Sequence, residues 1–198
     1  MDDKVSKIDS RVDSLEFALG QAQSELDQMH QTEAQVKDDL LYVKSQSMRN
    51  NLIFGNIPEP KQETWENREQ TLRRFFVDHL NIAQQLADNL QFERVHRMGD
   101  YNQRSGSPRK IVAKFAFYKD REMVRRLRRT KLNDTQFYLH EQFPPEIVAR
   151  RKSLLPKLKN AKKQARQAWL AYDTLFIDGV PVSDKESDRS QMQNGNRK

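Results

Sequence analysis

Read from its amino terminus, the chain repeats apolar residues at spacings of three and four: Val5, Ile8, Val12, Leu15, Leu19, Ala22, Leu26, Met29, Glu33, Val36, Leu40 and Val43. Eleven of these twelve positions are apolar, no proline interrupts them, and the one glycine, Gly20, falls beside the seam. A period of 3.5 residues keeps a single stripe facing a partner helix and imposes a left-handed supercoil. One helix cannot bury such a stripe alone, so residues 1–48 are expected to form a coiled coil of several copies. The rod from Val5 to Val43 would measure roughly 58 Å at ~1.5 Å per residue. An amphipathic helix packed on its own globular domain is the competing reading, and the sustained register with polar residues elsewhere argues against it.

The number of strands is harder to read. Val at a with Leu at d leans toward two, whereas Ile8, Leu19 and Leu26 do not, so core identity leaves dimer and trimer open. Arg11-Val12-Asp13-Ser14-Leu15-Glu16 fits the pattern Arg-apolar-x-x-apolar-Glu, which resembles a trimerisation motif. Arg11 at g and Glu16 at e can meet across the seam between neighbouring chains, which favours three strands over two. Glu33 at an a position would gather several carboxylates near the axis, predicting a weak or partly open layer with at least one raised pKa.

After the heptads the pattern changes to short elements that alternate in type. Leu52 to Ile57 reads as an apolar strand ended by Pro58, and Glu66 to Asn81 has helical spacing through Leu72, Phe75, Phe76 and Leu80. Phe92 to Arg97 reads as a strand, Asp100 to Pro108 as a polar loop, Lys110 to Phe117 as a strand, Asp120 to Lys131 as a helix and Gln136 to His140 as a last strand. The order β-α-β-β-α-β over residues 49–140 is that of a ferredoxin-like sandwich, the topology of the RNA recognition motif, with two helices on one sheet face and the other open. Behind it, Phe143-Pro144-Pro145-Glu146 opens a helix with Ile147, Leu154, Leu155 and Leu158 as its buried stripe, which Pro156 should kink or divide. Trp169 to Tyr172 and Leu175 to Ile177 read as short strands and Asp178-Gly179 as a turn, closing a small domain over 141–182. Residues 183–198 are polar and are expected to be disordered. The fold class is therefore α+β: a coiled coil, a recognition-motif-like domain and a small α+β carboxy-terminal domain.

Composition sharpens this picture. Of 198 residues only 36% are apolar and the mean hydropathy is -0.95, too polar for one large core. There is no cysteine, which excludes disulfide frameworks, thiolate metal sites and cysteine nucleophiles and implies an intracellular address. No apolar run approaches 18 residues, so neither a membrane span nor a secretory leader is expected. Charge divides unevenly: residues 1–48 carry a net -5, residues 49–140 a net +7 and residues 141–198 a net +5. An acidic front and a basic rear point to a polyanion as the partner of the rear.

Leu52 to Ile57 and Lys110 to Phe117 occupy the places of the two ribonucleoprotein motifs, yet the exposed positions hold Ile53, Val112 and Lys114 in place of aromatic rings. Each base–aromatic stack is worth ~1–3 kcal/mol, so affinity should come from charge and carry little sequence preference. Arg94, Arg97, Arg104, Arg109, Lys110 and Lys114 lie on or beside the strand-loop-strand hairpin, and Arg121, Arg125, Arg126, Arg128, Arg129 and Lys131 crowd the second helix. Ile147 to Tyr172 contains no acidic residue but eight cations, among them Arg150, Arg151 and Lys152. A solvated basic face is the plain alternative; the missing counter-charge favours phosphate contact.

The heptads, then Ser47-Met48-Arg49-Asn50-Asn51-Leu52-Ile53-Phe54-Gly55-Asn56-Ile57-Pro58-Glu59, then Arg94-Val95-His96-Arg97-Met98-Gly99, then Pro108-Arg109-Lys110-Ile111-Val112-Ala113-Lys114-Phe115 occur in one order. In that order they resemble the first-open-reading-frame proteins of LINE-one type retrotransposons (transposase type 22 family), over roughly Val5 to Val182. The resemblance implies a homotrimeric RNA-binding protein and nucleic-acid chaperone in cytoplasmic ribonucleoprotein particles, with a nuclear presence also open. Its recognition domain lacks the usual stacking rings, and Arg150 and Arg151 fall where the family keeps an arginine pair for RNA. The resulting candidate contacts to single-stranded RNA, and to single-stranded DNA, are Arg49, Arg94, Arg97, Arg104, Arg109, Lys110, Lys114, Arg125, Arg128, Arg150, Arg151 and Lys152, with Arg11, Val12, Leu15 and Glu16 serving trimerisation.

Catalysis finds little support. The histidines at 30, 79, 96 and 140 have no metal-ligand spacing, and neither a Ser/His/Asp order nor a Gly-Lys-Ser/Thr loop can be assembled. His96 reads as a surface or sheet-edge residue. Asp173 and Asp178 read as structural, one between strands and one in a turn. No enzyme activity, cofactor, metal, membrane or small-molecule substrate is expected. The competing function is a coiled-coil adaptor, host-derived in one version, whose basic surface is incidental.

Overall fold

The computed structural model describes residues 2–100 and 106–182; Arg104 and the tail 183–198 lie outside them. The chain divides into two compact units, Met1–Lys44 and Ser45–Lys198.

The first unit belongs to α1 (Asp2–Ser47), an uninterrupted helix of 46 residues. From Ile8 to Val43 every position of the repeat is exposed, Leu15 to 68%. Burying an aliphatic side chain contributes ~1.5–3 kcal/mol, so the stripe holds a large driving force for association. Val12, Leu15 and the flanking Arg11 and Glu16 all face water. Glu33 pairs with Lys37 of its own chain at 2.6 Å, and the hydrogen bond and charge of that lysine hold its carboxyl below the usual range. In the single chain the direction is thus opposite to that expected for a crowded axial layer.

In the second unit, β1 (Asn51–Gly55) pairs antiparallel with β3 (Ile111–Phe115) and β4 (Tyr138–Glu141), and β2 (Phe92–Arg97) pairs antiparallel with β3. The order β2-β3-β1-β4 makes β1 and β2 parallel across β3, and β3 and β4 parallel across β1, which is two interleaved split β-α-β units. α2 (Trp65–Leu80) and α4 (Tyr118–Lys131) supply the crossovers and cover one face. α2 starts at Thr64, whose side chain accepts the Asn67 N–H, and stops at Asn81 in the left-handed conformation. Its stripe of Leu72, Phe75, Phe76 and Leu80 meets Leu52, Phe54, Phe115 and Leu139 of the sheet in one core. Phe54 touches Phe75 edge-on at 6.0 Å and Phe92 touches Phe115 at 4.9 Å.

Several boundaries differ from those the sequence predicts: β3 is Ile111–Phe115 rather than Lys110 to Phe117, and α4 starts at Tyr118 rather than Asp120. β1 ends at Gly55 because Asn56 turns left-handed (φ 66°), so Ile57 leaves the strand while staying buried. β4 begins at Tyr138 rather than Gln136, since the Gln136 carbonyl accepts from Asn56 and Thr135 holds the Phe137 N–H in a turn. The short α3 (Gln84–Asn89) went unpredicted: it buries only Ala87 and is held from outside by Arg73, which donates to the Ala87, Asp88 and Leu90 carbonyls.

α5 (Pro145–Lys163) runs through Pro156 undivided. Its buried positions are Ile147, Leu154 and Ala161, seven residues apart, while Leu155 is exposed, contrary to expectation. A three-stranded antiparallel meander follows: β5 (Ala168–Ala171), β6 (Thr174–Ile177) and the unpredicted β7 (Val180–Val182). Asp178 and Gly179 both have positive φ, 50° and 83°, as the tight turn between β6 and β7 requires.

Candidate nucleic-acid interface

The candidate cations fall into two groups, those the fold consumes and those it leaves outward. Arg97 belongs to the first. Its guanidinium, with 1% of the side chain exposed, donates to both Glu63 oxygens at 2.8 and 3.0 Å and to the carbonyls of Ile57, Pro58 and Arg109 at 2.7–2.9 Å. Every donor arm of the fork is engaged, so Arg97 locks the loop after β1 to β2 and has no arm left for the phosphate contact expected of it. Burial pushes the Glu63 carboxyl up, but hydrogen bonds and charge from Arg97 and Arg68 outweigh it and hold the group below its ordinary value. Arg109 is likewise tied to Glu59 and the Gly99 carbonyl, and the Glu59 carboxyl is lowered by that hydrogen bond.

On α4, Glu122 collects three arginines: Arg121 at 3.0 Å, Arg125 at 2.5 Å and Arg126 at 3.4 Å. Its pKa drops to about 2, chiefly through the Arg125 hydrogen bond. Arg121 is buried and also reaches Glu141 at 2.6 Å. Beside this cluster a cleft of about 350 Å³ opens among Tyr118, Arg125, Phe143, Arg151, Leu170 and Tyr172. Tyr118 also lines a second recess of about 480 Å³ with Arg49, Asn50 and Lys114. Arginines stack on the rings along this path: Arg49 lies 4.5 Å from the Tyr118 centroid and Arg151 lies 4.6 Å from that of Phe143. Phe143 in turn meets Tyr172 edge-on at 6.1 Å. These rings come from a helix start, a linker and a hairpin turn, positions that no motif spacing singled out.

The acid-free run of α5 finds its counter-charges just beyond its end. Arg150 pairs with Asp173 at 2.9 Å, and Arg166 pairs with Asp178 at 2.7 Å while the Gln167 N–H donates to the same carboxylate at 3.0 Å. The two aspartates therefore sit in the two hairpin turns and clamp them to the first half of α5 and to the residues after its end. Arg151 donates to the Tyr172 carbonyl, and burial lowers its pKa against the pull of Glu141 and Asp173. Arg94, Lys110, Arg128 and Lys152 are exposed, and Lys114 is held by Glu93 at 2.5 Å near the sheet edge.

The sheet face opposite the helices carries a cross-strand row, His96, Val112, Ile53 and His140, fixed by the register. Val112 is 1% exposed, Ile53 and His96 are half-buried and His140 is exposed, so the face is closed at its centre and open toward β4. Partial desolvation lowers the pKa of both histidines, reinforced by Arg94 and Arg68 at His96 and by Arg128, Lys110 and Arg151 at His140. An aromatic ring is nevertheless present on this face, contributed by Tyr138 of β4 next to His140.

The chain matches no family model and no curated protein. Among the described residues no cluster of three His, Cys, Asp or Glu side chains is arranged to hold a metal, and no helix is long and apolar enough to cross a membrane.

Proposed function

We propose that this chain is a sequence-nonspecific single-stranded RNA-binding protein and nucleic-acid chaperone, organised as the resemblance to LINE-one type first-open-reading-frame proteins implies. In this reading α1 forms a homotrimeric coiled coil, the four-stranded unit is an RNA-recognition-motif-like domain, and α5 with its meander is a second RNA-binding module. The observation that carries the reading is the arginine-lined cleft beside Tyr118, Phe143 and Tyr172, where cationic forks and aromatic faces alternate at nucleotide scale. Phosphate contacts of this kind release counterions, so affinity falls steeply with salt and depends little on sequence. Individually weak contacts, multiplied by three linked heads, let bases exchange partners while the strand stays bound. Ribonucleoprotein particles of the cytoplasm, with access to the nucleus, are the setting this implies.

A titration of single-stranded RNA across salt concentrations tests the reading directly, comparing the unaltered chain with the triple variant Arg49→Ala, Lys114→Ala, Arg151→Ala. A steep salt slope that flattens in the variant supports it; salt-independent or single-sequence binding sinks it. The adaptor reading keeps one specific observation in its favour, the internal pairing of Arg97, Arg109, Arg125 and Arg150. It predicts unchanged RNA affinity in the triple variant.

A further inference from the structure

The register places Tyr138 opposite Gly55 across the β1–β4 pair. A Cβ built on Gly55 would lie 1.9 Å from the Tyr138 Cζ and 2.3 and 2.4 Å from its two Cε atoms. Two nearly equal Cε distances, only slightly longer than that to Cζ, mean that the ring is met through its face; an approach to its hydroxyl end would leave both Cε atoms well behind. Tyr138 therefore lies flat on the sheet where a glycine leaves room for it, and α2 and α4 cover the other side. Its second face points away from the core and the side chain is half-buried.

Covering a glycine with a ring is a structural device in antiparallel sheets, and it accounts for the inner face alone. The surroundings of the outer face have a different chemistry. The Lys110 ammonium stands 5.9 Å from the ring centroid, and the His140 ring lies 5.1 Å away. Lys110 is exposed and, with Arg128, forms no ion pair among the described residues. Arg128, Lys110 and Arg151 are near enough to oppose protonation of His140, so the imidazole beside the ring stays uncharged at neutral pH while its rim is cationic. A flat neutral ring edged by unpaired cations complements a base with its flanking phosphates.

We propose that Tyr138, seated on Gly55 and flanked by Lys110 and His140, is a stacking platform for one nucleobase of a bound single strand. The site rests on the RNA-binding reading above and adds a non-ionic contact to it, on a strand outside the two ribonucleoprotein motif positions. Lys110 swings from the ring to the adjoining phosphate as the base takes its place.

Binding of the full chain to a labelled single-stranded RNA homopolymer, with and without abasic sites, tests this. Tyr138→Ala should weaken binding to the intact strand about 5- to 150-fold, the equivalent of the ~1–3 kcal/mol of one stack, with the salt slope unchanged. Tyr138→Phe should bind as the unaltered chain does. Abasic substitution should weaken the unaltered chain more than it weakens the alanine variant. Photo-crosslinking of thiouridine-containing RNA to the unaltered chain, with the peptide mapped by mass spectrometry, should mark Tyr138 and is independent of any folding defect in the variants. An alanine variant as tight as the unaltered chain, or crosslinks that avoid β4, would overturn the platform while leaving the charged cleft standing. Failure of the unaltered chain to bind single strands at all overturns both.

Discussion

At the scale of single residues, the arginines of this chain are of two kinds that composition cannot separate. Arg97 and Glu63 are 1% and 2% exposed and satisfy each other inside the fold. Removing one member of a buried pair strands the other, at a cost of ~3–5 kcal/mol. Arg97→Ala should therefore lower the unfolding free energy obtained from urea titration by that much, and Arg97→Lys should rescue little, since one ammonium cannot reach three carbonyls and both carboxylate oxygens. Titration adds a second prediction. His96 and His140 have pKa values below 6.5, so the unfolded chain takes up protons first as pH falls; their contribution is complete above 6.5 and is lost through the folded values. Glu59, Glu63 and Glu122 are also depressed, so theirs is complete above 4.5 and is lost below it, down to about 2 for Glu122. Thermal midpoints should fall in two stages on acidification, and the double variant His96→Gln, His140→Gln should remove the upper stage only. The Arg97–Glu63 pair was not legible in the sequence, because its members are 34 positions apart and no periodicity links them.

At the scale of elements, period did most of the work that could be done without coordinates. The stripe Leu72, Phe75, Phe76, Leu80 placed α2 to within a residue, because burial on one face writes itself into spacing, and alternation over Lys110 to Phe117 placed β3 to within two. α3 and β7 escaped for the same reason: each buries too few side chains to leave a period. Pro156 is expected to kink or divide α5; the helix is not divided, because Ile147, Leu154 and Ala161 anchor it on both sides. The missing hydrogen bond and the ring clash still cost up to ~3 kcal/mol. Pro156→Ala should raise the stability of the carboxy-terminal module by ~1–3 kcal/mol, visible as slower amide exchange along α5. The role of Gly55 was equally hidden, since its constraint is the ring of Tyr138 some 80 positions away rather than its own backbone.

For the whole molecule, the acidic heptads and the basic unit behind them were the clearest features of the sequence, because both are statements about surface. The lining of the cleft was not readable there: the rings Tyr118, Phe143 and Tyr172 converge on it through tertiary packing alone. Sedimentation should give three copies per particle at micromolar concentration. Glu33→Leu should raise the melting temperature of that assembly by filling the one polar position of the repeat, and Leu15→Asp with Leu19→Asp should yield single chains with RNA affinity reduced ~10²- to 10⁴-fold by loss of avidity.

The parallel contact of Trp169 with Phe176, 5.4 Å between centroids at 6°, gives this chain an optical reporter of its own. Only two tryptophans are present. With Trp65→Phe, emission would come solely from the meander, so opening of that sheet could be timed by stopped flow apart from melting of the rest. An indole quenched on contact with oligonucleotide would show at once whether the last three strands touch the cargo.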